Sequence, residues 1–149
     1  MTVYRIARRA FADLSGNGGT VYSGRWHFKG HRIIYAAGSV ALAALEYAVH
    51  TSVRPVDTVL MEIVMPKDDL ITIENRLGGE LPGNWAFVAD QSRQLGTDWL
   101  IERKTLILSV PSVVVPFERN LLINPNHPLF AKVVLKQTVP FFFDPRIFN

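Results

Sequence analysis

Residues 22–50 read Tyr22-Ser-Gly-Arg25-Trp-His-Phe-Lys-Gly-His31-Arg-Ile-Ile-Tyr35-Ala-Ala-Gly-Ser39-Val-Ala-Leu-Ala-Ala-Leu-Glu46-Tyr-Ala-Val-His50. Arg32-Ile-Ile-Tyr-Ala is a short run of strand type, Gly38 interrupts it, and Ser39 is a good N-cap, so a strand over 32–36 followed by a helix over 40–50 is expected. The helix is apolar on nearly every face, which predicts that it is buried. Three residues in this stretch are unusual for a purely structural sequence: Arg25 directly after a glycine, Tyr35 at the end of an apolar strand, and Glu46, a lone carboxylate inside an apolar helix.

Outward from there, residues 2–7 are rich in β-branched and aromatic types and read as a first strand, with Arg5 on the face of Val3 and Ala7. Residues 15–20, Ser-Gly-Asn-Gly-Gly-Thr, read as a loop. They do not form a dinucleotide fingerprint, because Val21 occupies the position of the last glycine and no helical pattern follows. Residues 57–65 read as a central strand ended by Pro66, and 70–73 as a short strand. Residues 74–90, with Gly78-Gly79 and Pro82-Gly83, read as irregular connection and a mobile rim. A second helix is expected over 91–104, weakened by Gly96. A strand over 105–110 is broken by Pro111, residues 113–116 form a separate apolar run, 120–128 read as a turn-rich loop, and 130–143 supply closing strands. Short strands outnumber helices, so the fold class is α+β: one domain spanning 1–149, with mixed, mostly antiparallel sheet and a few helices.

Composition narrows the chemistry. With 149 residues and 48% hydrophobic content the chain can bury one core. The absence of cysteine excludes disulfides, thiolate metal sites and a Cys nucleophile. No apolar run reaches the ~20 residues of a membrane span and the N-terminus lacks a signal-peptide pattern, so a cytoplasmic protein beginning near Met1 is expected. A net charge of +3 favours anionic partners. The basic residues are scattered, however, without the run or aromatic platform of a nucleic-acid binder. No metal site is expected, since Glu46-x-x-x-His50 offers only two ligands.

Read one at a time, each candidate residue has two meanings. Glu46 is either a functional carboxylate or a core Glu paired with His50 one turn on. Arg25 suits bidentate recognition of phosphate or carboxylate, or it stacks on Trp26. Tyr35 stacks on a planar ligand or is an ordinary sheet aromatic. Ser112, in Val-Pro-Ser-Val, lacks the G-x-S-x-G elbow of a nucleophile and reads as a hydrogen-bonding group that caps backbone or orients a carboxylate.

Six elements, in order, resemble the RES-domain family of bacterial toxins, named for an Arg, a Glu and a Ser. They are Val3-Tyr-Arg-Ile6, Gly24-Arg-Trp-His27 with Gly30, Ile34-Tyr-Ala36, Ala41-Leu-Ala-Ala-Leu-Glu46 with His50, Val110-Pro-Ser112, and Asn124-Pro-Asn-His-Pro128. The resemblance implies a fold similar to ADP-ribosyltransferases and destruction of NAD+ by cleavage of its nicotinamide–ribose bond, as a glycohydrolase or phosphorylase. Arg25, Tyr35, Glu46 and Ser112 would be the catalytic residues. Arg25, Tyr35 and Arg5 would bind substrate, and NAD+ would be substrate with no further cofactor. The implied partner is a helix-turn-helix antitoxin protein that blocks the site, with a homodimer inside that complex and no direct contact to nucleic acid or membrane. His27 departs from the Asn that many members carry after the Trp. Alternatives are ADP-ribose transfer to a protein target and, from other classes, a nucleic-acid-binding protein or a catalytically silent domain that binds a partner.

Overall fold

A computed structural model describes residues 1–148. The elements in chain order are β1 (Thr2–Arg8), α1 (Gly18–Val21), β2 (Ile34–Ala37), α2 (Val40–Ala48), β3 (Thr58–Val64), β4 (Leu70–Thr72), α3 (Ile73–Leu77), α4 (Ala89–Glu102), β5 (Ile107–Pro111), β6 (Arg119–Ile123) and β7 (Val134–Pro140). All seven strands join one sheet in the order β4-β5-β6-β2-β1-β3-β7. Only the β4–β5 pair is parallel. The α+β, mostly antiparallel architecture expected from the sequence is what forms. No helix among the described residues is long and apolar enough to cross a membrane.

Strand alternation divides the core between the two faces of the sheet. One face buries Val3, Ile34, Ala36, Met61, Ile63, Ile107 and Ile123. On the other, Leu108, Val110 and Leu122 pack with Trp26, Trp99 and Leu100 of the α4 layer, while Ile6 and Ala37 pack with Leu42 and Ala43 of α2 and with Phe143. Each fully buried aliphatic side chain contributes roughly 1.5–3 kcal/mol. The apolar C-terminal segment fixes α2 from outside the sheet. Phe143 stacks on Tyr47 at 5.7 Å between ring centroids and meets Phe141 and Phe148 edge-on.

The ladder between β1 and β2 creates the functional region. β1 pairs with β3 over seven residues, from Thr2 with Val64 to Arg8 with Thr58. With β2 it shares only the Tyr4–Ala37 pair. Beyond that pair the two strands part, and both edges, Arg5 and Ile6 on one side and Tyr35 and Ala36 on the other, line a cavity.

Several local expectations need correction. Of α2, only Leu42 and Ala43 are buried, whereas Leu45 and Val49 are 40% and 57% exposed. One face of this helix packs on the sheet, another lines the cavity, and a third faces outward. The glycine loop at 15–20 runs into the helical turn α1. Residues 74–90 are not wholly irregular, since α3 runs into them and is stopped by Gly78 at φ +72°, in the left-handed region glycine favours. The segment 120–128 is not all loop, because β6 runs through Ile123 in the middle of the sheet. Residues 113–116 form a turn, because the Ser112 hydroxyl accepts the backbone N–H groups of Val114 and Val115 and diverts the chain from extension. Closing strands at 130–143 reduce to one, the exposed edge strand β7.

Candidate active site

The cavity opened by the parting of β1 and β2 encloses about 560 Å³ and is lined by Arg5, Arg25, Tyr35, Glu46, Tyr47 and Asn120, among others. Ser39 caps the helix that carries Glu46, its hydroxyl accepting the Leu42 N–H at 3.1 Å. Two donors converge on one Glu46 oxygen. Ser112 Oγ donates to Oε1 at 2.7 Å and Asn120 Nδ2 donates to the same atom at 2.6 Å. Oε2 has no hydrogen-bond partner among the described residues. The carboxylate is therefore held by one oxygen while the other stays available at the cavity. His50, one turn further along, is exposed and makes no bond to Glu46, so the helical pairing with His50 does not form.

Ser112 is fully buried. Its hydroxyl donates once, to Glu46, and accepts twice, from Val114 N–H at 3.1 Å and Val115 N–H at 3.0 Å. One O–H and two lone pairs are then all used. The group can orient a carboxylate and cap a turn, but it has no lone pair left for nucleophilic attack.

Tyr35 is held at its hydroxyl. The Trp26 N–H donates to Oη at 3.2 Å, and Oη lies 2.7 Å from His27 Nδ1. His27 Nε2 sits 3.1 Å from the Gly19 carbonyl, which can only accept, so Nε2 carries the proton. Nδ1 is then an acceptor, for the Gly24 N–H at 3.2 Å and for the Tyr35 hydroxyl. Burial, the main influence, pushes the Tyr35 phenol above its ordinary value, so it stays a neutral donor. What Tyr35 offers the cavity is its ring. Gly24 must be glycine for this packing, since a Cβ there would collide with the Tyr35 hydroxyl.

Arg25 is positioned by its backbone. Three α4 side chains grip residues 24–28: Arg93 Nε donates to the Gly24 carbonyl at 2.8 Å, Ser92 Oγ to the Arg25 carbonyl at 2.6 Å, and Thr97 Oγ1 accepts the Phe28 N–H at 2.9 Å. The guanidinium donates to the Ala86 carbonyl at 3.0 Å. Trp26 stacks on Trp85, with centroids 5.5 Å apart, rather than on Arg25. Through Trp85 and Ala86, the segment expected to be a mobile rim is fastened to the Arg25 loop.

Comparison with known proteins places the chain in a family. A model of the RES domain matches residues 2–144. The chain belongs to the RES-domain family. It is 41% identical to a Prs ADP-ribosylating toxin of Sphingobium sp. (strain YBL2), across 91% of this chain and 86% of that protein. It is 36% identical to a Toxin Res of Yersinia enterocolitica across 99% of both chains. Its fold is similar to that in the crystal structure of the M. tuberculosis MbcT–MbcA toxin–antitoxin complex, with a TM-score of 0.71 and 18% identity over 99% of this chain and 86% of that one.

In this RES domain Arg5 also lines the cavity, and burial, only partly offset by Asp13, holds its pKa below the ordinary guanidinium value. It makes no ion pair and no side-chain hydrogen bond among the described residues. Sequence reading missed two parts of the site. Asn120 was hidden in what reads as a loop, although the apolar Leu121-Leu-Ile123 run after it is a strand signal. His27, noted only as a departure from the family pattern, supports Tyr35.

Burial, the main cause, holds His27 below the ordinary imidazole value of about 6.5. The unfolded chain then takes up a proton that the folded chain resists, so stability falls as pH drops below about 6.5 toward the folded value. The urea midpoint of the wild type is expected to decline more between pH 7 and pH 5 than that of His27→Asn, which keeps an acceptor near Tyr35 without the titration. Parallel declines would show that His27 is not held neutral.

Proposed function

We propose that this RES-domain protein is a toxin that cleaves NAD+ at the nicotinamide–ribose bond. The observation that carries the reading is the one-sided restraint of Glu46, with Oε1 held by two donors and Oε2 available to the cavity. In the reaction the glycosidic C–N bond breaks and its electron pair leaves with nicotinamide, neutralising the pyridinium. The ribose carbon becomes oxocarbenium-like, and water or phosphate then bonds to it. With water the products are nicotinamide, ADP-ribose and a proton. The Glu46 carboxylate stabilises the developing cation. Arg25 spends one N–H on Ala86 and keeps the rest of its five donors for the pyrophosphate. The Tyr35 ring stacks on the nicotinamide side, since its hydroxyl is already committed.

A second cavity of about 550 Å³ adjoins the first, shares Arg5, Ile6, Tyr47 and His50 with it, and is flanked by the exposed rings of Phe11 and Tyr22. Two neighbouring cavities that share Arg5 in their walls suit a ligand made of two nucleosides joined by a pyrophosphate. NAD+ is substrate here and no other cofactor enters the reaction. The partner that belongs with this reading is an antitoxin protein that covers the cavity, as the fold relative was crystallised in a toxin–antitoxin complex.

The name of the Sphingobium relative favours a second reading, ADP-ribose transfer to a protein, which shares the bond cleavage and differs in the acceptor. Purified protein free of any antitoxin is expected to release nicotinamide from NAD+ with matching free ADP-ribose or its phosphate. ADP-ribose mass appearing on a protein instead would favour transfer, and a folded protein that leaves NAD+ intact would refute both.

A further inference from the structure

Asn120 carries the one buried side-chain polar atom without a hydrogen-bond partner among the described residues, its Oδ1. The amide orientation is set by chemistry. An amide oxygen at 2.6 Å from Glu46 Oε1 would be repelled by the carboxylate, so the group there is Nδ2, and Oδ1 is the orphan. Its mount is stiff. Asn120 pairs with Ala37 of β2 on one side and with Val110 of β5 on the other. Buried acceptors are nearly always satisfied, and an exception calls for a reason. Asn120 also lines the cavity beside Glu46, where a ligand could supply the missing donor.

Glu46 Oε2 and Asn120 Oδ1 are thus two acceptors with no donor of their own, the second of them shielded from solvent, on side chains joined by a hydrogen bond. A pair of unpaired acceptors on two linked side chains suits a ligand that carries a pair of hydroxyl donors. We infer that Asn120 is a substrate-recognition and positioning residue, its Nδ2 restraining Glu46 and its Oδ1 accepting one hydroxyl of the cis-diol of the nicotinamide ribose while Glu46 takes the other. This rests on the NAD+-cleaving reading above. It gives the ribose a fixed rotation about the scissile bond, so that the carboxylate meets the face where the cation develops.

The test is a cycle of protein and substrate changes read as kcat/KM for nicotinamide release. Wild type and Asn120→Ala are each assayed with NAD+ and with analogues lacking the 2′- or the 3′-hydroxyl of the nicotinamide ribose. Asn120→Ala is expected to lose roughly 10- to 100-fold on NAD+, the worth of one buried hydrogen bond to substrate. On one of the two deoxy analogues it is expected to lose less, because the Oδ1 contact is already gone and only the loss of the Nδ2 restraint on Glu46 is left. Asn120→Asp keeps an acceptor but sets a second carboxyl against Glu46, so the acid limb of its pH–rate profile moves upward. Should Asn120→Ala fail to fold, Asn120→Ser serves in the same cycle. Losses equal on all three substrates, or no loss on NAD+, would overturn the inference while leaving NAD+ cleavage standing. A wild type that releases no nicotinamide would overturn both.

Discussion

Glu46→Gln is expected to reduce nicotinamide release by about 10²–10³-fold while leaving the fold and its melting temperature nearly unchanged. The substitution isolates charge from shape. A glutamine carbonyl can occupy the place of Oε1 and still accept from Ser112 at 2.7 Å and Asn120 at 2.6 Å. Its NH₂ then stands where Oε2 stood, and an acceptor at the cavity becomes a donor with no negative charge. In the proposed reaction what is lost is the stabilisation of the oxocarbenium-like sugar, which exists only in the transition state, so the deficit belongs in kcat more than in KM. The assay is nicotinamide release under saturating NAD+, with thermal denaturation alongside. A variant that keeps wild-type kcat would remove Glu46 from the chemistry and the proposed reaction with it.

The order of residues in the sequence revealed more of this site than any one of them did. Ser39 as N-cap, the strand before it, and an α+β sheet followed from local rules, because capping and alternation are properties of neighbouring residues. Glu46 beside Ser112 was legible only in outline. That a hydroxyl should orient a carboxylate could be argued from residue type, but which oxygen it holds depends on β5 and α2 meeting across 66 residues of chain. Asn120 escaped because the Asn and Pro residues of the following segment dominate its composition, and only the sheet shows that β6 runs between β5 and β2. The exposure of Leu45 and Val49 escaped for a different reason. Apolar periodicity says which residues avoid water on average, and it cannot distinguish a helix buried all round from one that borders a cavity and an open face.

Gly96 reverses its meaning between sequence and structure, and that reversal sets the second large effect. In a helix interior, Gly→Ala should stabilise by about 1 kcal/mol. Here a Cβ on residue 96 would run into the Trp26 carbonyl, which is backbone and cannot swing aside. The glycine is what lets α4 lie against the Arg25 loop closely enough for Ser92, Arg93 and Thr97 to reach it. Gly96→Ala is therefore expected to destabilise by about 1–3 kcal/mol or more, as overpacking does. In a domain of this size that lowers the melting temperature by roughly 3–10 °C. The damage should also reach function. A helix pushed back from Trp26 stretches three bonds to the segment that carries Arg25, so among molecules still folded the KM for NAD+ should rise more than kcat falls. Circular dichroism melting and steady-state kinetics well below the transition separate the two effects. A variant that melts higher than wild type would mean that propensity outweighs contact at residue 96, and that Arg25 does not owe its position to the close approach of this helix.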